Sequence, residues 1–311
     1  MMRRLLLLLL AVVVVLAAGL FVFDRVAPAR SAALAAQLER DRAGLERKTT
    51  RIAGFDIVYL EGGSGEPLVL VHGFGADKDN FTRVAAQLTA HYRVIVPDLP
   101  GFGESSKPAD ASYRIGEQAQ RLDQILAALG VQRAHFGGSS MGGWIIAAYA
   151  AQFPDKAQSL WLLAPGGVSN ATPSPMLKAF SETGKSPLVI DKVENFEQVL
   201  DLVMADPPFL PYSVKKVLAE RAVRNHALHS RIFLQLHNES QALQEIAPQV
   251  QAPSLIVWGE DDRVLDISGA RILDQLLPRS QLIVMPGIGH LPMLEAPRRV
   301  AADYLAFRAA L

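Results

Sequence analysis

"HFGGSSMGGW", residues 135 to 144, sets two adjacent serines among four glycines. Each glycine inside a helix or strand is destabilising by roughly 0.5–1 kcal/mol relative to alanine, so such a cluster favours a turn. An apolar run precedes it and a helical pattern follows, and Gly138-Ser139-Ser140-Met141-Gly142 matches G-x-S-x-G. At a strand-to-helix turn this motif exposes its central hydroxyl. Because Ser139 would need glycine at position 141, the motif predicts Ser140 as a nucleophile.

A serine hydroxyl needs a base, which this type of site takes from a histidine later in the chain. Four histidines follow Ser140: His226, His229, His237 and His290. His290 lies in "MPGIGHLPMLE", after the last predicted strand, where parallel sheets place functional loops. The sequence therefore predicts His290 as the base. The other three are interpreted as helix-surface or helix-capping residues, and His91 and His135, which flank strands, as structural.

The base needs an orienting carboxylate between the serine and the histidine. "WGEDDRVLD" follows a predicted strand and offers Glu260, Asp261, Asp262 and Asp266. The spacing Gly259-x-x-Asp262 favours Asp262 over Asp261. Asp98 and Glu104 belong to an earlier loop and are interpreted as packing or hydrogen-bonding residues.

Attack on an acyl carbonyl creates an oxyanion that backbone N–H groups can stabilise. Met141 begins the helix after Ser140, where the helix dipole is positive, and is predicted as one donor. The loop "HGFGAD" after the strand at 67–73 is predicted to supply the other, from Phe74. An ordinary glycine turn is the alternative for that loop.

Strand and helix patterns alternate from about Thr49 onward, which predicts an α/β fold with a mostly parallel sheet and helices on both faces. A hairpin turning near Ala53-Gly54 opens this body, and helical spacing appears at 79–92 and 113–130. Residues 165–253 interrupt the alternation and are too many for a loop. Helical spacing at 195–206 and 213–223 predicts an inserted helical segment there.

After the opening "MMRR", the chain runs from Leu5 to Phe23 without a charge. At about 1.5 Å per residue this run spans roughly 28 Å, close to the hydrocarbon core of a bilayer. It predicts a transmembrane anchor, with a cleaved signal peptide and a buried helix as alternatives. Arg3 and Arg4 keep the N-terminus cytoplasmic and place the remainder on the other side, which is the periplasm in a Gram-negative cell.

The segment 31–48 has leucines on one helical face and charges elsewhere. It predicts a juxtamembrane helix that serves as a solvated spacer, lies on the membrane or pairs with a second copy, so a homodimer is left open. The predicted segments are an anchor at 1–24, a juxtamembrane helix at 25–48, a core at 49–164 and 254–311, and the insertion at 165–253.

Composition narrows the function classes. The 31 basic and 31 acidic residues balance, which gives no electrostatic argument for binding nucleic acid. No cysteine is present, which excludes disulfides, thiolate metal sites and a cysteine nucleophile.

With "HGFG", "GSSMG", "WGEDD" and "GHLPMLEAP" in this order, the chain resembles the α/β-hydrolase superfamily from about residue 50 to its end. It is most similar to monoacylglycerol lipases and bacterial membrane-anchored phospholipases A. The resemblance implies carboxylic-ester hydrolysis without a metal or organic cofactor, through an acyl-enzyme on Ser140. It also implies that residues 165–253 form a cap over the active site.

The apolar anchor and the apolar cap favour lipid esters, either glycerophospholipids or monoacylglycerols, and a fatty acid bound beneath the cap. Packing alone would also account for the apolar cap residues. The alternatives are a C–C bond hydrolase of ring-cleavage products with the same triad, a general short-chain carboxylesterase, and a binding protein on a hydrolase scaffold.

Overall fold

A mixed β-sheet forms the centre of the computed structural model, which describes residues 2–311. Within these residues the sheet has eight strands, in the order β1-β2-β4-β3-β5-β6-β7-β8. They are β1 (Leu45–Ile52), β2 (Phe55–Gly62), β3 (Pro67–Val71), β4 (Arg93–Pro97), β5 (Ala134–Ser139), β6 (Ala157–Leu163), β7 (Ser254–Gly259) and β8 (Ser280–Met285). β2 pairs antiparallel with β1 and β4, and all other pairs are parallel.

Helices cover both faces of this sheet, as its buried, continuously apolar central strands require. The helices before the middle of the sheet are α1 (Met2–Val26), α2 (Pro28–Arg42), α3 (Thr82–Ala85), α4 (Ile115–Ala128) and α5 (Met141–Gln152). Between β6 and β7 lie α6 (Pro175–Thr183), α7 (Phe196–Val203), α8 (Tyr212–Arg224), α9 (His226–Glu239) and α10 (Leu243–Ile246). The chain ends with α11 (Ser268–Leu276), α12 (Pro292–Glu295) and α13 (Pro297–Ala309). The predicted α/β class and mostly parallel sheet are confirmed.

The first hairpin begins earlier than the sequence pattern indicated. Its turn at Ala53-Gly54 is where it was predicted, with Gly54 at a φ of 88°. The juxtamembrane helix, however, ends at Arg42, and Gly44 adopts a φ of 62° that L side chains avoid. Residues 45–48, predicted as helix, are therefore strand, and Leu45 is buried in the core.

The helix predicted at 79–92 is also shorter than expected. A 3-10 turn at Lys78–Phe81 leads into α3, and turns replace the helix after Ala85. The start of this segment is held by side-chain contacts instead of helical hydrogen bonds, because Asp77 accepts from the N–H of Asp79 and Asp98 accepts from the N–H of Lys78.

The N-terminal helix α1 is long and apolar enough to cross a membrane. Thirteen of its leucine and valine side chains, among them Leu5, Val14 and Leu20, are exposed, which is unfavourable in water and favourable in lipid. α2 follows after a break at Ala27 and packs against α8. The apolar helix therefore connects directly to a helix that contacts the segment between β6 and β7.

Candidate active site

Ser140 occupies the sharp turn between β5 and α5. Its φ of 54° and ψ of −119° are strained for a residue with a side chain. The backbone on both sides holds it there: its N–H donates to the Leu163 carbonyl at 2.9 Å, and its own carbonyl accepts from Trp144 at 3.2 Å and from Gly166 at 2.9 Å. The strain is therefore supported by the surrounding elements, as is typical of functional turns.

Glycines surround Ser140 because backbone segments approach each other closely at this turn. A Cβ on Gly138 would lie 2.5 Å from the Gly142 carbonyl oxygen. A Cβ on Gly142 would lie 2.0 Å from the carbonyl oxygen of Val71 in β3. Both distances are far below van der Waals contact, so side chains at these positions would force β5, α5 and β3 apart.

The two adjacent serines have different surroundings. The Ser139 side chain is fully buried, and its Oγ has no hydrogen-bond partner within residues 2–311. Ser140 is partly exposed and lines a cavity of about 900 Å³. Only Ser140 is therefore accessible to a substrate.

His290 and Asp262 lie together on the loops that follow β8 and β7. Nδ1 of His290 is 2.7 Å from Oδ2 of Asp262, and both side chains are buried. The other carboxylate oxygen, Oδ1, accepts the N–H groups of Val264 at 2.8 Å and Leu265 at 2.9 Å. The carboxylate is thus held in one orientation toward the imidazole. The neighbouring Asp261 is exposed.

The loop that carries His290 is tied to the segment after α7. The N–H of His290 donates to the Val203 carbonyl at 3.0 Å. The Glu295 carboxylate accepts from the N–H groups of Gly289 and Ala205, at 3.1 and 2.8 Å. The sequence gives no signal for a role of Glu295, because only the folded chain brings Ala205 to it. It positions the histidine loop against the inserted helices.

Phe74 and Met141, the predicted oxyanion donors, flank Ser140. Met141 is the first residue of α5, so its N–H has no acceptor inside the helix. Phe74 follows Gly73, and a Cβ added to Gly73 would lie 3.1 Å from Cβ of Ser140. Gly75 completes that turn at a φ of 71°. Both predicted donor residues thus adjoin the hydroxyl.

His72 holds the loop of Phe74 in place. Its ring is fully buried, with Nδ1 2.8 Å from the Gly73 carbonyl oxygen and Nε2 3.1 Å from the N–H of Leu99. A carbonyl only accepts and an N–H only donates, so Nδ1 carries the hydrogen and Nε2 accepts. Burial lowers the pKa of His72, which agrees with this neutral form.

An ion cluster built on the buried residues Asp77, Lys78 and Asp98 lies under the same loop. Lys78 is 2.9 Å from Asp98 and 2.7 Å from Glu104, while Arg221 of α8 contacts Asp77 at 2.5 Å. Burial would raise the pKa of Asp77, but the nearby cations Arg221 and Lys78 outweigh it and lower that pKa to about 2. The cluster connects α8 to the loop after β3. The packing and hydrogen-bonding roles expected for Asp98 and Glu104 agree with these contacts.

α2 joins this cluster. Arg40 binds Asp79 with two hydrogen bonds, of 2.7 and 2.6 Å, in the bidentate geometry that arginine favours. The sequence gives no direct signal for the Arg221–Asp77 pair or the Arg40–Asp79 pair, because the partners are distant in the chain.

The cavity that Ser140 and His290 line has a volume of about 900 Å³. This volume lies within the range of small-molecule sites. Apolar side chains of α2, α7 and α8 form much of its wall; they include Ala32, Ala36, Val199, Leu200, Val214 and Leu218. Phe209, which is 84% exposed, lies at its rim. A long apolar group fits such a wall.

Comparison with known proteins adds to this geometry. Residues 66–297 match the family model described as the alpha/beta hydrolase fold. The chain belongs to the alpha/beta hydrolase family. Lipase 1 of Psychrobacter immobilis is 42% identical over 281 residues, which cover 88% of this chain and 88% of that protein. The monoacylglycerol lipase ABHD6 of Mus musculus is 29% identical over 252 residues, which cover 77% of this chain and 75% of that protein.

A solved structure extends the match over the N-terminal segment. The crystal structure of a membrane phospholipase A, a bacterial virulence factor, has a TM-score of 0.89 and 43% sequence identity. The match covers 100% of this chain and 99% of that chain. This alpha/beta hydrolase is thus a hydrolytic enzyme similar to lipases and phospholipases, as the sequence resemblance indicated.

Proposed function

We propose that this hydrolase cleaves carboxylic esters of lipids through an acyl-enzyme on Ser140. The observation that carries the proposal is the Asp262–His290 hydrogen bond of 2.7 Å beside a cavity that His290 and Ser140 share. A carboxylate that holds an imidazole next to an accessible serine is the arrangement that activates a hydroxyl.

The reaction proceeds in two half-steps. Oγ of Ser140 attacks the ester carbonyl carbon while Nε2 of His290 accepts its proton, and Asp262 stabilises the resulting imidazolium. The carbonyl oxygen becomes an oxyanion that the N–H groups of Phe74 and Met141 stabilise. The tetrahedral intermediate expels the alcohol, which takes the proton from His290. Water then attacks the acyl-serine with His290 as base, and the fatty acid leaves as Ser140 regains its proton.

The choice of lipid esters is supported by the cavity wall and the relatives. The apolar side chains of α2, α7 and α8 suit an acyl chain. The names of two relatives, lipase and phospholipase A, denote enzymes that cleave lipid esters. We propose that residues 165–253, which contain α6 to α10, are a cap above the cavity, and that the core comprises residues 49–164 and 254–311.

We also propose that α1 anchors the enzyme, with the catalytic part on the non-cytoplasmic side. The end of α1 contacts the start of α8: Asp24 accepts from the Ser213 N–H at 3.2 Å, and the Arg25 guanidinium lies 4.3 Å from the Tyr212 ring centroid. The cavity rim at Phe209 is near in sequence to this contact. A lipid that leaves the bilayer would therefore reach the cavity by a short path.

Fluorophosphonate labelling of carbonate-washed membranes tests both parts of the proposal. The full-length protein is expected to stay in the washed membrane and to be labelled, whereas Ser140→Ala loses the label and all ester hydrolysis. Ser139→Ala is the matched control and keeps both, since it removes only a buried hydroxyl without a partner within residues 2–311. Labelling of Ser140→Ala would refute the assignment of Ser140 as the nucleophile. Release of the protein from the membrane by carbonate would refute the assignment of α1 as an anchor.

A further inference from the structure

His229 of α9 is a buried histidine that the triad does not use. Its side chain is only 7% exposed, and its Nε2 atom has no hydrogen-bond partner within residues 2–311. It lines the same cavity as Ser140 and His290. The expectation of a helix-surface or helix-capping position is therefore wrong for His229, because α9 turns this residue inward. Buried polar atoms are nearly always bonded, so an unpaired one on a residue that lines a cavity points to a ligand.

Aromatic rings confine the His229 imidazole. Its centroid lies 5.5 Å from that of Phe74 and 5.2 Å from that of Phe102. These rings fix the plane of the imidazole without offering a conventional hydrogen bond. Phe74 is also the predicted oxyanion donor, so His229 packs directly against the residue expected to bind the reacting carbonyl.

The imidazole of His229 is neutral. Burial lowers its pKa to about 4, and the nearby cations Lys107 and Arg221 act in the same direction. The Gly101 carbonyl opposes the shift as a hydrogen-bond acceptor, so the ring nitrogen facing it carries the hydrogen. The other ring nitrogen of a neutral imidazole carries no hydrogen and is therefore a lone-pair acceptor.

An acceptor in this place requires a donor on the substrate. The acyl chain of a lipid ester has none, and it suits the apolar wall of α2, α7 and α8. The alcohol part of a monoacylglycerol or a lysophospholipid carries a free hydroxyl close to the ester. Such a hydroxyl can reach the polar atom next to Phe74 while the acyl chain follows the apolar wall.

We propose that His229 determines specificity by accepting a hydrogen bond from a free hydroxyl on the alcohol part of the ester. The proposal rests on the proposed lipid-ester hydrolysis. It selects partially acylated glycerol esters over esters whose alcohol has no second hydroxyl.

The test compares two esters with the same acyl chain, 1-monooleoylglycerol and propyl oleate, in mixed micelles with the full-length protein. Both alcohols have three carbons, and only glycerol has further hydroxyls. In His229→Phe, the ratio of kcat/KM for the two esters is expected to shift against monooleoylglycerol by about three- to tenfold, the loss of one neutral hydrogen bond. His237→Phe, an exposed position on the same helix, is the matched control and leaves the ratio unchanged.

Two further variants keep the test valid if His229→Phe does not fold. The amide of glutamine reaches the position of Nε2, and that of asparagine reaches the position of Nδ1. Only one of these nitrogens is the acceptor, so one of His229→Gln and His229→Asn is expected to preserve more of the selectivity than the other. Equal losses on both esters in all variants would overturn the role of His229 and leave the proposed function intact. A wild-type enzyme that cleaves neither ester would refute the proposed function itself.

Discussion

Replacement of Asp262 by asparagine should trap His290 in the wrong tautomer. Oδ1 of Asp262 accepts two backbone N–H groups, at 2.8 and 2.9 Å, while Oδ2 faces Nδ1 of His290 at 2.7 Å. In asparagine only one of these atoms is an acceptor. The two backbone donors require it at the Oδ1 position, because the reversed amide would lose two hydrogen bonds of about 1 kcal/mol each. The NH₂ group therefore faces His290.

The consequence falls on the other side of the imidazole. Nδ1 must then accept from the amide, so the hydrogen moves to Nε2, which can no longer take the proton of Ser140. We expect kcat to fall about 10⁴-fold, the order seen when a triad carboxylate becomes its amide. This corresponds to a barrier higher by about 5.5 kcal/mol.

The assay measures kcat on monooleoylglycerol and the rate of fluorophosphonate labelling, with a thermal melt to verify folding. Asp261→Asn is the matched control, because this neighbouring carboxylate is exposed, and its activity should be unchanged. The reasoning is refuted if Asp262→Asn keeps more than about a tenth of the wild-type kcat, or if Asp261→Asn loses as much.

Two further predictions concern stability. Gly142→Ala should not accumulate as folded protein, since its Cβ would lie 2.0 Å from the Val71 carbonyl oxygen. Gly116 lies on α4 with open space around its Cα, so Gly116→Ala should raise the free energy of unfolding by about 0.5–1 kcal/mol. Equal melting temperatures for Gly142→Ala and Gly116→Ala would contradict these two expectations. The pKa of Asp77 is lowered from 3.8 to about 2, so its charge stabilises the fold above pH 3.8 and this contribution is lost as the pH falls toward 2. Arg221→Met should raise that pKa, cost at most about 2 kcal/mol at neutral pH because Lys78 also lowers it, and move acid unfolding to a higher pH. Circular dichroism follows the transition, and an unmoved midpoint would count against the ion pair.

Much of the candidate site could be predicted because its signals are local. A sharp turn after β5 requires glycines at fixed offsets, and their spacing alone distinguishes Ser140 from Ser139. The same holds for the loops after β7 and β8, where spacing and chain order indicated Asp262 and His290. These side chains lie at the carboxyl ends of parallel strands, so alternation of strands and helices was enough to predict that they meet.

Residues whose role depends on distant packing could not be predicted in this way. His229 looked like one of three surface histidines, because a helical pattern does not say which face meets the core. The Arg221–Asp77 and Arg40–Asp79 pairs join residues from separate elements, and many other pairings of charges would have been equally consistent with the sequence.

By itself, then, the sequence determined the α/β class, the turn that exposes Ser140 and the apolar run of α1, since each depends on short-range backbone geometry or on the hydrophobicity of consecutive residues. Only the tertiary structure decided that His229 also lines the cavity, how α2 and α8 connect to the loop of Phe74, and where the strand after α2 begins. These features depend on side chains that meet across long chain separations, where burial and ion pairing select one arrangement among many that local patterns allow.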